Sequence, residues 1–247
     1  MQSQAAGPGP GVAAGLVAFI AALQSEYRIV RRNGRLREFA VAYLSGPGED
    51  AARSAVESAV AHGAAGVVSW GIAGGLVADA VPGTVVLASR VVRAGGEACE
   101  SDPDWIQRLR ARLADVCPIL AGDLATVSES VQTPEAKRRL AHDLGVVAVD
   151  MESAAIAAGA RRAGLPFVAI RVIADGLDDG LPVDVDKFVS AKGRVRLLRV
   201  LGSLGSGQVS IRELRSLGRR SATAHDVLGK IAHRLAEAPV RPPETAT

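Results

Sequence analysis

Short, wholly apolar runs alternate along this chain with longer segments in which apolar residues recur every three or four positions. The first kind reads as buried strand and the second as helix. Residues 11–23 open the series as a first core strand and its exit. Residues 39–44 read as a strand ending at Ser45-Gly46-Pro47-Gly48, and residues 49–62 as a helix closed by Gly63. A fully apolar strand over 65–69 runs into Trp70-Gly71-Ile72-Ala73-Gly74-Gly75, and a Pro82-Gly83 turn leads to a strand over 84–89. Asp102-Pro103 and Thr133-Pro134 each set an N-cap before a proline at the first helical position, so helices start at both. The second ends at Gly145. Residues 146–149 then read as a strand, 151–163 as a helix closed by Gly164, and 166–174 as another strand.

Strand, helix, strand in that order implies parallel pairing through right-handed crossovers, with helices on both sheet faces. The expected fold class is therefore α/β, a single-domain three-layer α/β/α sandwich. At 247 residues and 48% hydrophobic content the chain suits one core. The domain is expected over 11–238, with a basic helical segment over about 187–238. The polar and Gly/Pro-rich residues 1–10, and residues 239–247, read as disordered tails.

Composition narrows the class. The net charge of +3 is uneven, since basic residues greatly outnumber acidic ones from Lys187 onward. That is a local patch and not a nucleic-acid binder's distribution. Only Lys137, Lys187, Lys192 and Lys230 among the 29 basic residues are lysines, a bias expected of a GC-rich bacterial genome. Cys99 and Cys117 lack metal-like spacing and read as reduced thiols of a cytoplasmic protein, so no metal and no cofactor is expected. The run over 11–23 has no Lys or Arg before it and is too short to span a bilayer.

The chemistry gathers at two strand ends. Ligands of open α/β sheets sit beyond the carboxyl ends of strands. Asp150-Met151-Glu152 follows one strand and Asp175 the next. Taken singly, Glu152 also reads as a helix-start acid favoured by unpaired N–H groups, and Asp175 as a turn residue before Gly176.

Together, VVAVDMESAAIA followed by GLPFVAIRVIAD resembles the signature of the purine nucleoside phosphorylase and nucleosidase superfamily. AAGVVSWGIAGGL followed by PGTVVLA is similar to that family's glycine-rich strand end and the strand after it. The resemblance spans most of residues 39–175. It implies a nucleoside phosphorylase-like mixed sheet, cleavage of the N-glycosidic bond of an adenine nucleoside, and a homo-oligomer. Glu152 matches the glutamate that accepts hydrogen bonds from the ribose 2'- and 3'-hydroxyls. Met151 matches a methionine packed on the sugar, with core filler as its plain alternative. Asp175 matches the aspartate beside purine N7, where a donated proton neutralises the departing base. Ser130 and Val131 fall beside the base, and Ile72, Ala73 and Gly74 line the floor of the base and sugar site. An aspartate of ordinary pKa, about 3.9, is ionised at neutral pH, so its role requires a desolvated site.

Two features depart from the pattern. Hydrolytic members carry a water-activating glutamate just after the first strand, and residues 15–21 contain no carboxylate. Phosphorolytic members often place an arginine and a serine where this chain has Ser69 and Ile72. The loop holding Gly46 and Gly48 offers main-chain N–H groups to an anion at the start of the next helix, with Arg53 or Arg93 at hand, so phosphate stands as a candidate co-substrate beside the plain-turn reading.

The basic C-terminal segment, with SWGIAGGL and VDMESAA, resembles the hopanoid-associated branch of the superfamily. That resemblance implies adenosylhopane as substrate, Phe19, Ile20 and residues 197–204 as channel walls, and peripheral contact with a membrane by a basic amphipathic helix. An ordinary solvated helix face is the alternative for that helix. A small-substrate phosphorylase or methylthioadenosine/S-adenosylhomocysteine nucleosidase is the second enzyme reading, and a nucleoside-binding protein without turnover is the third.

Overall fold

The apolar run expected as the first strand becomes β1 (Val17–Ala21), buried at all five positions. Its side chains divide by period two. Val17, Phe19 and Ala21 join one core cluster, while Ala18 and Ile20 join the other on the opposite face. The structure is a computed structural model that describes residues 15–93, 95–180, 190, 192–193 and 211–243. The expected N-terminal tail and the channel wall over 197–204 lie outside the described residues.

After β1 come α1 (Gln24–Arg32), a 3-10 turn (Leu36–Glu38), β2 (Ala40–Leu44), α2 (Glu49–Ala61) and β3 (Gly66–Gly75). β4 (Val85–Arg93), β5 (Ala98–Glu100), α3 (Pro103–Leu113), β6 (Ile119–Thr126) and α4 (Pro134–Leu144) follow. β7 (Ala148–Asp150), α5 (Ser153–Arg162), β8 (Phe167–Asp175) and α6 (Ile211–Glu237) complete the described elements. Both capped helix starts form as expected: Asp102 accepts from the Trp105 N–H and Thr133 from the Ala136 N–H. β5, β6 and α1 were not foreseen in the pattern.

The α/β class and the mixed sheet implied by the resemblance both hold, and the parallel pairing read from the element order holds for part of the sheet. β1 pairs in parallel with β2 and β3, β3 with β8, β4 with β6 and β6 with β7. β3 pairs antiparallel with β7, and β4 with both β5 and β8. The stretch 76–84 between β3 and β4 contains no helix, so it cannot serve as a parallel crossover. A register shift at Ala73/Gly74 lets the far end of the ten-residue β3 leave β1 and reach β7. Strands β3, β8, β4, β6 and β7 thereby close into a ring, with β1 and β2 flanking it.

Helices cover both faces. Val30 of α1, Trp105 and Leu109 of α3, and Leu228 and Ile231 of α6 pack on the cluster around Phe19 and Trp70. Ala52, Ala55 and Val56 of α2 and the alanines of α5 pack on the other cluster. In α6 the buried set Ala224, Val227, Leu228, Ile231, Ala232 and Leu235 follows the spacing of an amphipathic helix. Its solvent side carries charges paired with acids: Arg220 with Asp179, Lys230 with Asp226, and Arg234 with Asp115. Residues 239–243, expected in the C-terminal tail, lie against the body, where the Val240 carbonyl accepts the buried indole N–H of Trp105 at 3.0 Å. A buried indole donor requires such an acceptor.

Candidate active site

The carboxyl ends of β3, β7 and β8 and the residues after β1 converge on a cavity of about 370 Å³. Its walls include Ala22, Leu23, Pro47, Val127, Val149 and Ala174, an apolar surface interrupted by a few acids and one arginine. Ile72, Ala73, Gly74, Ser130, Val131, Met151, Glu152 and Asp175, all expected from the sequence, line this one cavity. Of the residues considered for an anion, Gly48 lines it, whereas Gly46 and Arg53 do not. Arg53 faces Asp50 one turn earlier on α2, and Arg93 pairs with Glu49. Phe19 and Ile20 are core residues, Phe19 packing edge-on against Trp70. They form no channel wall.

Glu152 occupies the N-cap of α5 yet makes no cap bond. Its Oε1 instead accepts the Gly48 main-chain N–H at 3.1 Å. The capping is done by Asp150, whose carboxylate accepts the Ser153 N–H at 3.2 and 3.3 Å. This division of labour frees Glu152 to face the cavity. Burial, and then the neighbouring Asp150, push its carboxyl up to about 7, against the opposing pull of Arg171 and the Gly48 hydrogen bond.

Two cavity residues escaped the sequence reading. Glu26 sits in the first turn of α1, beyond the carboxylate-free residues 15–21. Its Oε2 accepts the Leu23 N–H at 2.9 Å, reaching back as a helix-start glutamate does, and its Oε1 accepts the Ile72 N–H at 3.0 Å. The side chain is 1% exposed, and burial raises its pKa while Arg171 opposes the rise. Arg171 is the second. It interrupts the apolar strand β8, is 2% exposed, and pairs with Asp150 at 2.7 Å. Its guanidinium also donates to Ser69 Oγ at 2.7 Å and Ser153 Oγ at 3.0 Å. A charged residue inside an otherwise apolar strand was the legible signal, since buried arginine requires partners.

Asp175 ends β8 at the cavity wall, with Lys137 Nζ at 2.5 Å from its Oδ2. Burial raises its carboxyl above the ordinary range; the charge and hydrogen bond of Lys137 work against that rise. The desolvated aspartate that the sequence reading required is therefore present. Among the described residues, no cluster of three or more His, Cys, Asp or Glu is arranged to hold a metal.

Residues 27–204 match the phosphorylase superfamily. The chain belongs to that superfamily. Within it, a 5'-methylthioadenosine/S-adenosylhomocysteine nucleosidase of Treponema pallidum (strain Nichols) is 29% identical over 145 residues, 54% of this chain and 54% of that protein. The enzyme of the same name from Shewanella loihica is 27% identical over 157 residues, covering 56% and 68%. The chain thus matches about half the length of the first of these relatives. The superfamily fold is matched more fully. The Neisseria meningitidis methylthioadenosine/S-adenosylhomocysteine nucleosidase, in complex with methylthio-immucillin-A, superposes with a TM-score of 0.68 at 21% identity, over 91% of this chain and 100% of that one. Futalosine hydrolase of Helicobacter pylori gives 0.66 at 16% identity, over 89% and 98%. Among the described residues no helix is long and apolar enough to cross a membrane.

Proposed function

We propose that this protein hydrolyses the N-glycosidic bond of 5'-substituted adenine nucleosides of the methylthioadenosine and S-adenosylhomocysteine class, releasing adenine. One observation carries the reading: three carboxylates, the buried Glu26 and Glu152 and the partly buried Asp175, line a single cavity, a set that supports bond cleavage at a ribose. Glu152 accepts the two ribose hydroxyls. Asp175 gives its proton to purine N7, so that the electron pair of the breaking C1'–N9 bond leaves on a neutral base. Positive charge grows on the sugar as in glycoside hydrolysis, and carboxylates around the cavity favour it. Glu26, held by two main-chain N–H groups, takes a proton from the water that adds to C1'. The names of the two curated relatives support this choice of substrate class.

Water is favoured over phosphate by two contacts. The Gly48 N–H expected to serve an anion is engaged by Glu152, and Arg53 lies outside the cavity. Adenosylhopane is the second substrate within this proposal, supported by the apolar walls formed by Ala22, Leu23, Pro47, Val127 and Val131.

The test is adenine release from methylthioadenosine, S-adenosylhomocysteine and adenosylhopane, with and without phosphate, by the native chain and by Asp175→Ala. Phosphate-independent release that Asp175→Ala abolishes, with nucleoside binding retained, is the expected outcome. Release that depends on phosphate overturns hydrolysis, and full activity of Asp175→Ala overturns the assigned acid.

A further inference from the structure

Lys137 is buried with no exposed surface, although lysine is among the residues least often found so. It stands in the first turn of α4, where its own N–H donates to the Thr133 carbonyl, so the Thr133-Pro134 helix start fixes its place. Its Nζ donates to Asp175 Oδ2 at 2.5 Å, to the Gly176 carbonyl at 2.6 Å and to the Asp179 carbonyl at 3.0 Å. An ammonium has three N–H bonds, and these three contacts use them all. Two acceptors are neutral carbonyls. When Asp175 is ionised it also supplies the counter-charge that a buried ammonium needs.

We infer that Lys137 is a positioning residue for proton transfer to the leaving base: its ammonium occupies Asp175 Oδ2, leaves Oδ1 to the purine, and balances the carboxylate that forms as the proton departs. This inference rests on the function proposed above. As C1'–N9 breaks, its electron pair stays with the purine, the Oδ1 proton passes to N7, and Asp175 is left as a carboxylate beside the ammonium. Water adds to C1' through oxygen and gives its proton to Glu26. The two acids then exchange the proton with solvent, and the cycle closes.

The charges facing Asp175 come from three places: Lys137 on α4, Arg220 on α6 and Asp179 on the loop after β8. Arg220 pairs with Asp179, so those two largely offset each other. Burial favours the protonated form of Asp175, and Lys137 works against burial, so the ammonium eases release of the proton during the reaction.

Lys137→Met removes charge and donors, and Lys137→Gln keeps donors without charge. Both should lower kcat for adenine release, by roughly 10- to 100-fold for the methionine variant, with KM little changed. The basic limb of the kcat profile should move to higher pH, because the acid retains its proton longer without the ammonium. On a 7-methylated adenine nucleoside, whose cationic base leaves without receiving a proton, the loss should largely disappear. Equal losses on both substrates, with an unmoved limb, would mean that Lys137 merely ties the loop and would overturn the inference.

A second arm is independent of turnover. With aspartate labelled by 13C at the carboxyl carbon, the signal missing in Asp175→Asn is followed through pH, and its midpoint should rise in Lys137→Gln. An unchanged midpoint overturns the inference. If the native chain releases no adenine, the proposed function fails while this arm still decides Lys137. If the methionine variant does not fold, the glutamine variant carries both arms.

Discussion

The guanidinium of Arg171 lies 2.7 Å from the carboxylate of Asp150, each side chain being 2% exposed. Through that pair, a single buried cation serves an acidic group containing Asp150, Glu152 and Glu26, because Arg171 also lowers the proton affinity of both glutamates. Asp150 in turn receives Thr126 Oγ1 at 2.7 Å and caps α5. The pair therefore joins the folding of α5 to the charge state of the cavity.

Arg171→Met should cost about 3–5 kcal/mol of unfolding free energy, since removing one member of a buried pair strands the other. It should also raise the proton affinities of Glu26 and Glu152. Urea denaturation of the variant at pH 7 measures the first effect. A loss below about 1 kcal/mol would show that Asp150 is satisfied without the arginine.

Glu26→Gln keeps the size of the side chain and an oxygen for the Ile72 N–H while removing the carboxylate proposed as the base. The expected result is a fall in kcat of at least about 100-fold with nucleoside affinity nearly unchanged. Steady-state kinetics together with calorimetric binding separates the two. If affinity and kcat fall together, Glu26 is holding the substrate.

Glu152 offers a pH signature. Its carboxyl rises from 4.5 to about 7 on folding, so the folded protein binds more protons than the unfolded chain between those values. The Glu152 contribution to stability is thus fully present below pH 4.5 and is lost as pH rises towards about 7. Ribose hydroxyls need the ionised form as acceptor, so nucleoside affinity should move the opposite way, improving as pH rises through about 7. Glu152→Gln should flatten this part of both profiles. Calorimetric titrations and denaturation curves across pH 5–8 check the pair of trends, and parallel trends would contradict the assignment.

Gly71 passes between the two residues missed by the sequence reading. A Cβ built there would lie 2.6 Å from both Arg171 Nη1 and Glu26 Oε1. Gly71→Ala must displace one of them, at a cost of about 1–3 kcal/mol for overpacking. We expect a destabilised protein with strongly reduced adenine release. A crystal structure of the variant should show Glu26 moved from the Ile72 N–H. Retention of full activity would mean that the Glu26 position is not needed.

Much of the site was readable because its parts lie where strands end. Apolar runs marked β3, β7 and β8, and the acids after them, Glu152 and Asp175, are placed by the strands they follow. Arg171 was readable in principle, because an arginine within an apolar strand has to find buried partners. Lys137 was not. It lies in a polar helix among arginines, and its period matches an ordinary surface position until α4 is seated beside the end of β8. Glu26 was hidden in the same way, within a segment whose composition is that of a solvated helix.

The chain by itself determined its α/β alternation, the capped starts of α3 and α4, and two of the acids in the cavity, because each depends on neighbours a few residues away. Tertiary structure decided the closure of β3, β8, β4, β6 and β7 into a ring, the antiparallel pairings, and which polar helix residues face inward. Those outcomes depend on contacts between distant segments: 104 residues separate Gly48 from Glu152, and 38 separate Lys137 from Asp175. Local periodicity carries no information about such meetings. Burial at the meeting point raises the carboxyls of Glu152 and Asp175, which is why these acids of raised pKa, and Lys137 as the partner of Asp175, exist only in the folded protein.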